Sequence, residues 1–163
     1  SEKEKHLIAS CIGNLQTAIN ENRRLAHTLV TPDLEAETLL QQIRRLCTGM
    51  LEIVGVTVVI DSEQYNESLL NQEMQIAIYR IAQEQCTNIV KYAQATTVHI
   101  SLVTDDHLFV MVIADNGVGM DVNKATAGIG LRNISSRLSV LNGKAKVISS
   151  PGKGFRLVFE FPI

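Results

Sequence analysis

The chain has 163 residues, enough for one ordinary domain with its own core, of which 45% are apolar and 20% charged, with a formal net charge of −2. That balance leaves no basic footprint for nucleic acid or anionic lipid. No run approaches the ~18 apolar residues a bilayer span requires, and the polar opening SEKEKH is no secretory signal. Cys11, Cys47 and Cys86 are far apart, odd in number and without a CxxC pair, so they suggest neither a zinc site nor a disulfide framework and fit a reducing cytoplasm. The chain opens directly in helical sequence, as a piece of a longer protein would.

Residues 5–30 read as one helix. Ile8, Ile12, Leu15, Ile19, Asn22, Ala26 and Leu29 recur at alternating spacings of four and three, the heptad seam of a coiled coil or helical bundle, with Asn22 as a polar register-setting position. Pairing between chains is the expected use of that seam; packing on the chain's own domain is the alternative. Thr31-Pro32 breaks the helix and restarts another, which runs from about Asp33 to Val54 with Leu39, Leu40, Ile43, Leu46, Cys47 and Met50 as its apolar side. Gly55 ends it.

Val56–Ile60 is then a strand, and a helix covers about Asn71–Ala93. Val98–Val103 and Leu108–Ala114 read as paired strands, residues 116–129 as a glycine-containing loop, and Leu131–Leu141 as a helix. Lys146–Ser149 and Gly154–Phe161 close the chain as two more strands, and the short turns between the late strands make them antiparallel neighbours. The expected fold is α+β: a mixed sheet of about five strands with helices on one face, a two-layer α/β sandwich, preceded by a helical segment. The domain boundary falls near residue 55.

On the helix over 71–93, Ile78, Ala82, Cys86, Ile89 and Ala93 share one face, while Glu84, Asn88 and Lys91 stack on another at i, i+4 and i+7. Periodicity alone would make the second face a solvated one. The residue types point further: Asn offers a neutral oxygen suited to Mg²⁺, Lys a point charge for phosphate, and Glu a group that orients a nucleophile or takes its proton. Three Gly-x-Gly pairs follow, in DNGVG (Asp115–Gly119), GIG (Gly128–Gly130) and GKG (Gly152–Gly154). Each alone could be a tight turn; three in this order after a Glu-x-x-x-Asn helix are a stronger signal, because glycine permits positive φ and close approach to a ligand. GIGLRN also opens a helix, whose free N–H groups favour phosphate. Asp115 ends a hydrophobic strand, and a carboxylate there can accept but not donate, so it would choose adenine over guanine. Neither a P-loop nor a GxGxxG dinucleotide motif occurs.

IAQEQCTNIVKYAQAT (Ile81–Thr96), DNGVGMD, GIGLRNISSRL (Gly128–Leu138) and GKGFRLVFEFP resemble the N, G1, G2 and G3 boxes of bacterial sensor histidine kinases, on the ATP-binding (Bergerat) fold shared with type II topoisomerases, mismatch-repair ATPases and the heat-shock chaperone ATPase. The wording of QEQCTNIVKYAQAT and of NENRRLAHTLVTPDLE resembles the nitrate-sensor subgroup. The resemblance implies an ATP-binding catalytic domain over 55–163 and, over 1–54, a remnant of the dimerisation and phosphoacceptor helices with their connection. It implies a magnesium- and ATP-dependent transfer of the γ-phosphoryl group to a histidine, for relay to a response regulator. Asn88 would bind Mg²⁺; Glu84, with Gln83 beside it, would lie near the γ-phosphate and assist transfer; Lys91 would contact phosphate. Asp115 would read adenine, Gly117, Gly119, Gly128 and Gly130 would shape the lid, and Gly152 and Gly154 would close the adenine side. The implied partners are a second copy through the N-terminal helix and a response regulator, with no nucleic acid and no direct membrane contact, in the cytoplasm, with the full-length protein possible as a membrane-anchored one.

Three departures stand out. Lys91-Tyr92-Ala93 replaces the usual Lys-His-Ala; Phe155 follows the last glycine of the G3 box where the family usually has Thr; and none of His6, His27, His99 and His107 is followed by the acidic residue that marks the phosphoacceptor. A serine kinase acting on an anti-anti-sigma-type partner and a non-catalytic dimerisation module are the alternatives, and a chaperone-type ATPase a more distant one. The glycine-rich stretch 116–129 is expected to be disordered without nucleotide.

Overall fold

A computed structural model describes residues 37–122 and 129–163 and, upstream, Ile8, Cys11, Ile12, Asn14 and Leu15. The chain divides into two compact units, residues 1–31 and 32–163. In the first, the five described residues are helical and exposed. The rest of the heptad seam (Ile19, Asn22, Ala26 and Leu29), the Thr31-Pro32 break, the expected helix start at Asp33, Gly128, His6 and His27 lie outside the described residues.

The second unit contains helix α1 (Leu39–Met50), strand β1 (Thr57–Asp61), helix α2 (Gln72–Asn88), strands β2 (Thr97–Thr104) and β3 (Leu108–Asp115), helix α3 (Ile129–Val140) and strands β4 (Lys144–Ser149) and β5 (Phe155–Pro162). Its sheet runs β1-β2-β3-β5-β4, with β1 parallel to β2 and the other neighbours antiparallel. This is the mixed five-stranded sheet with helices that the pattern of residues leads one to expect. Helix α1 packs on α2 within this unit.

Alternation builds the inner face. Val98, Ile100 and Leu102 of β2, Phe109, Met111 and Ile113 of β3, and Leu157, Phe159 and Phe161 of β5 are all buried, each pointing to the helical layer on the strand period of two. The register sets Phe109 opposite Phe161, with ring centroids 4.9 Å apart, and Ile113 opposite Leu157. Continuing the same period two residues past Ile113 brings Asp115 to the inner face, opposite Phe155 at the strand end. The sheet register therefore carries a carboxylate onto the face that Phe109, Met111 and Ile113 otherwise fill with apolar side chains.

The helices start where capping chemistry allows. Thr38 accepts from the Gln41 N–H and Gln41 reaches back to the Thr38 N–H, a capping box that begins α1. Asn71 caps α2 through the Met74 N–H. The α-helical ladder of α2 ends at Asn88 and gives way to one wide π turn over Ile89–Ala93, closed by Gln94 at φ 51°. The helix expected over about Asn71–Ala93 is thus helical to Ala93, with its last turn widened.

Candidate functional site

A cavity of about 670 Å³ lies between α2, the start of α3 and the ends of β3 and β5, within the usual range for a small-molecule site. Glu84, Asn88 and Lys91 line it from α2 and its wide turn, Asp115 and Gly119 from β3 and the loop after it, Gly130 from α3, and Phe155 from β5. The expected site residues Glu84, Asn88, Lys91, Asp115, Gly119 and Gly130 thus share one cavity. Gly117, Gly152 and Gly154 are not among its lining residues, and Gly128 lies outside the described residues.

Two glycines show how close the wall is drawn. A Cβ on Gly130 would come 2.5 Å from Glu84 Oε1, and 3.3 and 3.4 Å from the Asn88 carboxamide atoms. Glu84 and Asn88, one helical turn apart, therefore converge on the bare backbone at the start of α3. A Cβ on Gly154, at φ +70°, would overlap the Asp115 carbonyl oxygen. Gly152 also has positive φ, +74°, but faces open space.

Asp115 is 9% exposed. Its Oδ1 accepts from the Gly117 N–H at 2.8 Å. Burial raises its pKa above the ordinary carboxylate value, against the opposing pull of the Gly117 and Phe155 N–H groups. The neighbouring Asn116 braces the loop instead. Its Oδ1 accepts from the Thr96 and Thr97 N–H groups and its Nδ2 donates to Thr96 Oγ1, which ties the loop to the start of β2.

The first part of the glycine loop is pinned. The Val118 N–H donates to the Ala93 carbonyl at 2.8 Å, the Gly152 and Gly154 N–H groups donate to the Val118 and Gly117 carbonyls, and the Met120 N–H donates to Ser149 Oγ, which donates in turn to the Gly154 carbonyl. Residues 116–120 are held by these bonds within the protein itself, which corrects the expectation of disorder for that part; 123–128 lie outside the described residues. Ser149 and Ala93 gave no signal in the sequence, because their contributions are a hydroxyl and a backbone carbonyl met only across the fold.

Residues 73–163 match the family described as histidine kinase-, DNA gyrase B- and HSP90-like ATPase. The chain is 33% identical over 140 residues to the sensor histidine kinase MctS of Rhizobium johnstonii, covering 83% of this chain and 30% of MctS. It is 30% identical over 152 residues to the sensor histidine kinase ComP of Bacillus subtilis, covering 91% of this chain and 20% of ComP. The chain thus spans a third or less of these two relatives. Among solved structures, the histidine kinase domain of the Erythrobacter litoralis EL346 blue-light activated kinase superposes with a TM-score of 0.61 at 16% identity, over 74% of this chain and 58% of that one. The catalytic domain of histidine kinase ThkA superposes with a TM-score of 0.60 at 16% identity, over 76% of this chain and 92% of that one. The last two likenesses concern the fold.

Proposed function

The chain belongs to the histidine kinase-, DNA gyrase B- and HSP90-like ATPase family, as the ATP-binding catalytic region of a sensor histidine kinase, and from that premise we propose how its residues divide the work. The observation that carries the reading is the convergence of Glu84 and Asn88 on Gly130, in the same cavity that Asp115 enters from the sheet.

The purine lies on the sheet side, where Asp115 accepts from the exocyclic amine of adenine and confronts the carbonyl of guanine with a second acceptor. Phe155 and Ile89 supply apolar surface beside it. The phosphates lie toward Gly130, with Lys91 as the neutralising charge. Among the described residues no cluster of three His, Cys, Asp or Glu could hold a metal unaided. The oxygen of Asn88 beside Glu84 instead suits a Mg²⁺ that takes its other ligands from phosphates and water. That ion, when bound, neutralises charge on the phosphoryl group in transfer. Glu84, next to Gln83, orients the attacking histidine or takes its proton. Gly117, Gly119, Gly128 and Gly130 shape the cover over the phosphates, and Gly152 and Gly154 the turn behind the base.

The phosphoryl group passes to a histidine and onward to a response regulator. His99 and His107, the two described histidines, are followed by Ile100 and Leu108, with no acidic neighbour to take the imidazole proton, so the acceptor is assigned elsewhere in the full protein or its partner copy. The exposure of Ile8, Ile12 and Leu15, at 59%, 51% and 63%, supports pairing of two copies through the N-terminal helix. Among the described residues no helix is long and apolar enough to cross a membrane; the cytoplasmic assignment of this region rests on its reading as the part that meets ATP and a response regulator.

Calorimetric titration with ATP and with GTP, each with and without Mg²⁺, tests the reading. ATP should bind more tightly with Mg²⁺ and GTP should not compete. Absence of ATP binding at millimolar concentration would overturn the reading.

A further inference from the structure

We infer that Ser149 is a positioning residue of the nucleotide site, whose one hydroxyl fastens the loop after β3 to the turn before β5 and so fixes two walls of the cavity for ATP; the inference rests on the ATP-site reading above. The Met120 N–H donates to Ser149 Oγ at 2.9 Å, and Ser149 Oγ donates to the Gly154 carbonyl at 2.6 Å. Met120 lines the cavity, and so does Phe155, the residue after Gly154. A hydroxyl accepts and donates at one atom, and here both capacities are used on backbone groups that adjoin the cavity.

The sheet register places Ser149 at this point. Asp115 pairs with Phe155 across β3 and β5, and Phe155 with Ser149 across β5 and β4, so three adjacent strands end in one row of carboxylate, aromatic ring and hydroxyl. Ala145 and Val147 precede Ser149 on the same face of β4, where a further apolar residue would continue the pattern but could bond neither Met120 nor Gly154. The loop sits tightly on this turn. A Cβ on Gly119, at φ +63°, would overlap the Ser150 carbonyl oxygen and come 2.7 Å from the Gly154 carbonyl oxygen and 3.1 Å from Ser149 Oγ. Without the hydroxyl, the bond from the Gly154 N–H to the Gly117 carbonyl remains, whereas the Met120 N–H loses its acceptor. The loop then stays attached before Gly119 and comes loose at Met120, and ATP must order that residue as it binds, at a cost in affinity.

The test compares the wild-type chain with Ser149→Ala, Ser149→Thr and Thr104→Val by calorimetry, thermal unfolding and hydrogen exchange. Ser149→Ala should bind ATP roughly tenfold more weakly, and its Met120 amide should exchange faster in the nucleotide-free protein. Ser149→Thr keeps the hydroxyl and should restore both. Should Ser149→Ala fail to fold, Ser149→Cys, whose thiol makes both bonds only weakly, takes its place with the same expectation. Thr104 supplies the control: its hydroxyl accepts from the Asn66 N–H and donates to the Gln64 carbonyl at the opposite end of the sheet from Asp115. Thr104→Val therefore removes the same kind of link away from the cavity, and should lower the melting temperature with ATP affinity unchanged. Wild-type affinity in Ser149→Ala, no better affinity in Ser149→Thr than in Ser149→Ala, or an equal loss of affinity in Thr104→Val would each overturn the assignment. A wild-type chain that binds no ATP would overturn the ATP-site reading itself, and this inference with it.

Discussion

Gly130 approaches Glu84 so closely that one methyl group cannot stand between them: a Cβ there would lie 2.5 Å from Glu84 Oε1. The first turn of α3 and the polar column of α2 share a contact that only glycine admits. Gly130→Ala should therefore displace the Glu84 carboxylate and crowd Asn88, whose atoms stand 3.3 and 3.4 Å from the same point. Alanine is the better helix former by about 1 kcal/mol, so the nucleotide-free variant should unfold no earlier than the wild type. Its ATP affinity should lose most of its dependence on Mg²⁺. Titration with and without the metal checks this; an unaltered magnesium effect would remove Glu84 and Asn88 from the phosphate end.

Asp115 presents opposite signs for stability and for binding. Its pKa is raised by burial, so the folded protein holds that proton more tightly than the unfolded chain does. The contribution it makes to stability is fully present below the unfolded-state value and is lost as pH rises through the folded-state value. At pH 7 Asp115→Asn should raise the melting temperature of the nucleotide-free protein, and the gain should vanish in acid. ATP binding runs the other way, because only the carboxylate presents acceptors alone. The amide introduced by Asp115→Asn would set a donor against the adenine amine, at a cost of roughly 1–3 kcal/mol, or about 5–150-fold in affinity. Wild-type affinity should weaken on acidification from a pH above the ordinary aspartate range. A substitution that leaves ATP binding intact would show that the base is read elsewhere.

Much of this site is legible along the chain because its parts obey local periods. Glu84 and Asn88 are one turn apart, and Asp115 lies two residues beyond Ile113 on a strand whose odd positions are buried. What could not be read depends on contacts between distant segments. The α-helical ladder stops at Asn88 instead of continuing to Ala93, and the Ala93 carbonyl is taken by the Val118 N–H from the glycine loop. Helix α1 begins at Leu39, and Glu67, 28 residues away, completes its N-terminus. No propensity or spacing announces such a partner.

Gly152 and Gly154 look equivalent in GKG, yet the fold separates them. Both have positive φ, so alanine at either costs about 1–2 kcal/mol, roughly 3–6 °C in melting temperature for a domain of this size. At Gly152 nothing more should happen, because its surroundings are open. At Gly154 the new methyl would overlap the Asp115 backbone carbonyl. Gly154→Ala should thus lose at least twice as much stability and, by moving Asp115, weaken ATP binding, whereas Gly152→Ala should bind ATP normally. Equal effects of the two substitutions in unfolding and titration experiments would contradict the close packing at Gly154.

Glu67 ties helix α1 to the segment that follows β1 within the same unit. Its Oε1 accepts from the Leu39 N–H at 2.8 Å and its Oε2 from the Leu40 N–H at 3.4 Å, and the Tyr65 hydroxyl donates to it. A carboxylate on two free N–H groups of a helix start is favoured by hydrogen bonding and by the helix dipole. Glu67→Ala should cost about 1–2 kcal/mol and loosen α1 before the rest of the unit. Hydrogen exchange should then show faster exchange at Leu39 and the first turn of α1, with the amides of β3 and β5 protected as before. Uniform loss of protection would mean that α1 and the sheet unfold as one.

The three cysteines give a chemical reading of the same helix packing. Cys47 of α1 and Cys86 of α2 are buried, whereas Cys11 is exposed. The Cys86 thiol is pushed well above its usual pKa by its hydrogen bond with Cys47, by burial and by the charge of Cys47. Thiolate is the reactive form, so both inaccessibility and the raised pKa protect Cys86. Iodoacetamide at pH 8 should label the native protein at Cys11 alone, and a rise of one pH unit should not bring in Cys86. In denaturant all three should react. Labelling of Cys86 in the native protein at the rate of Cys11 would mean that α1 leaves α2 readily. Because α2 carries Glu84 and Asn88, such labelling should then also be slowed by ATP.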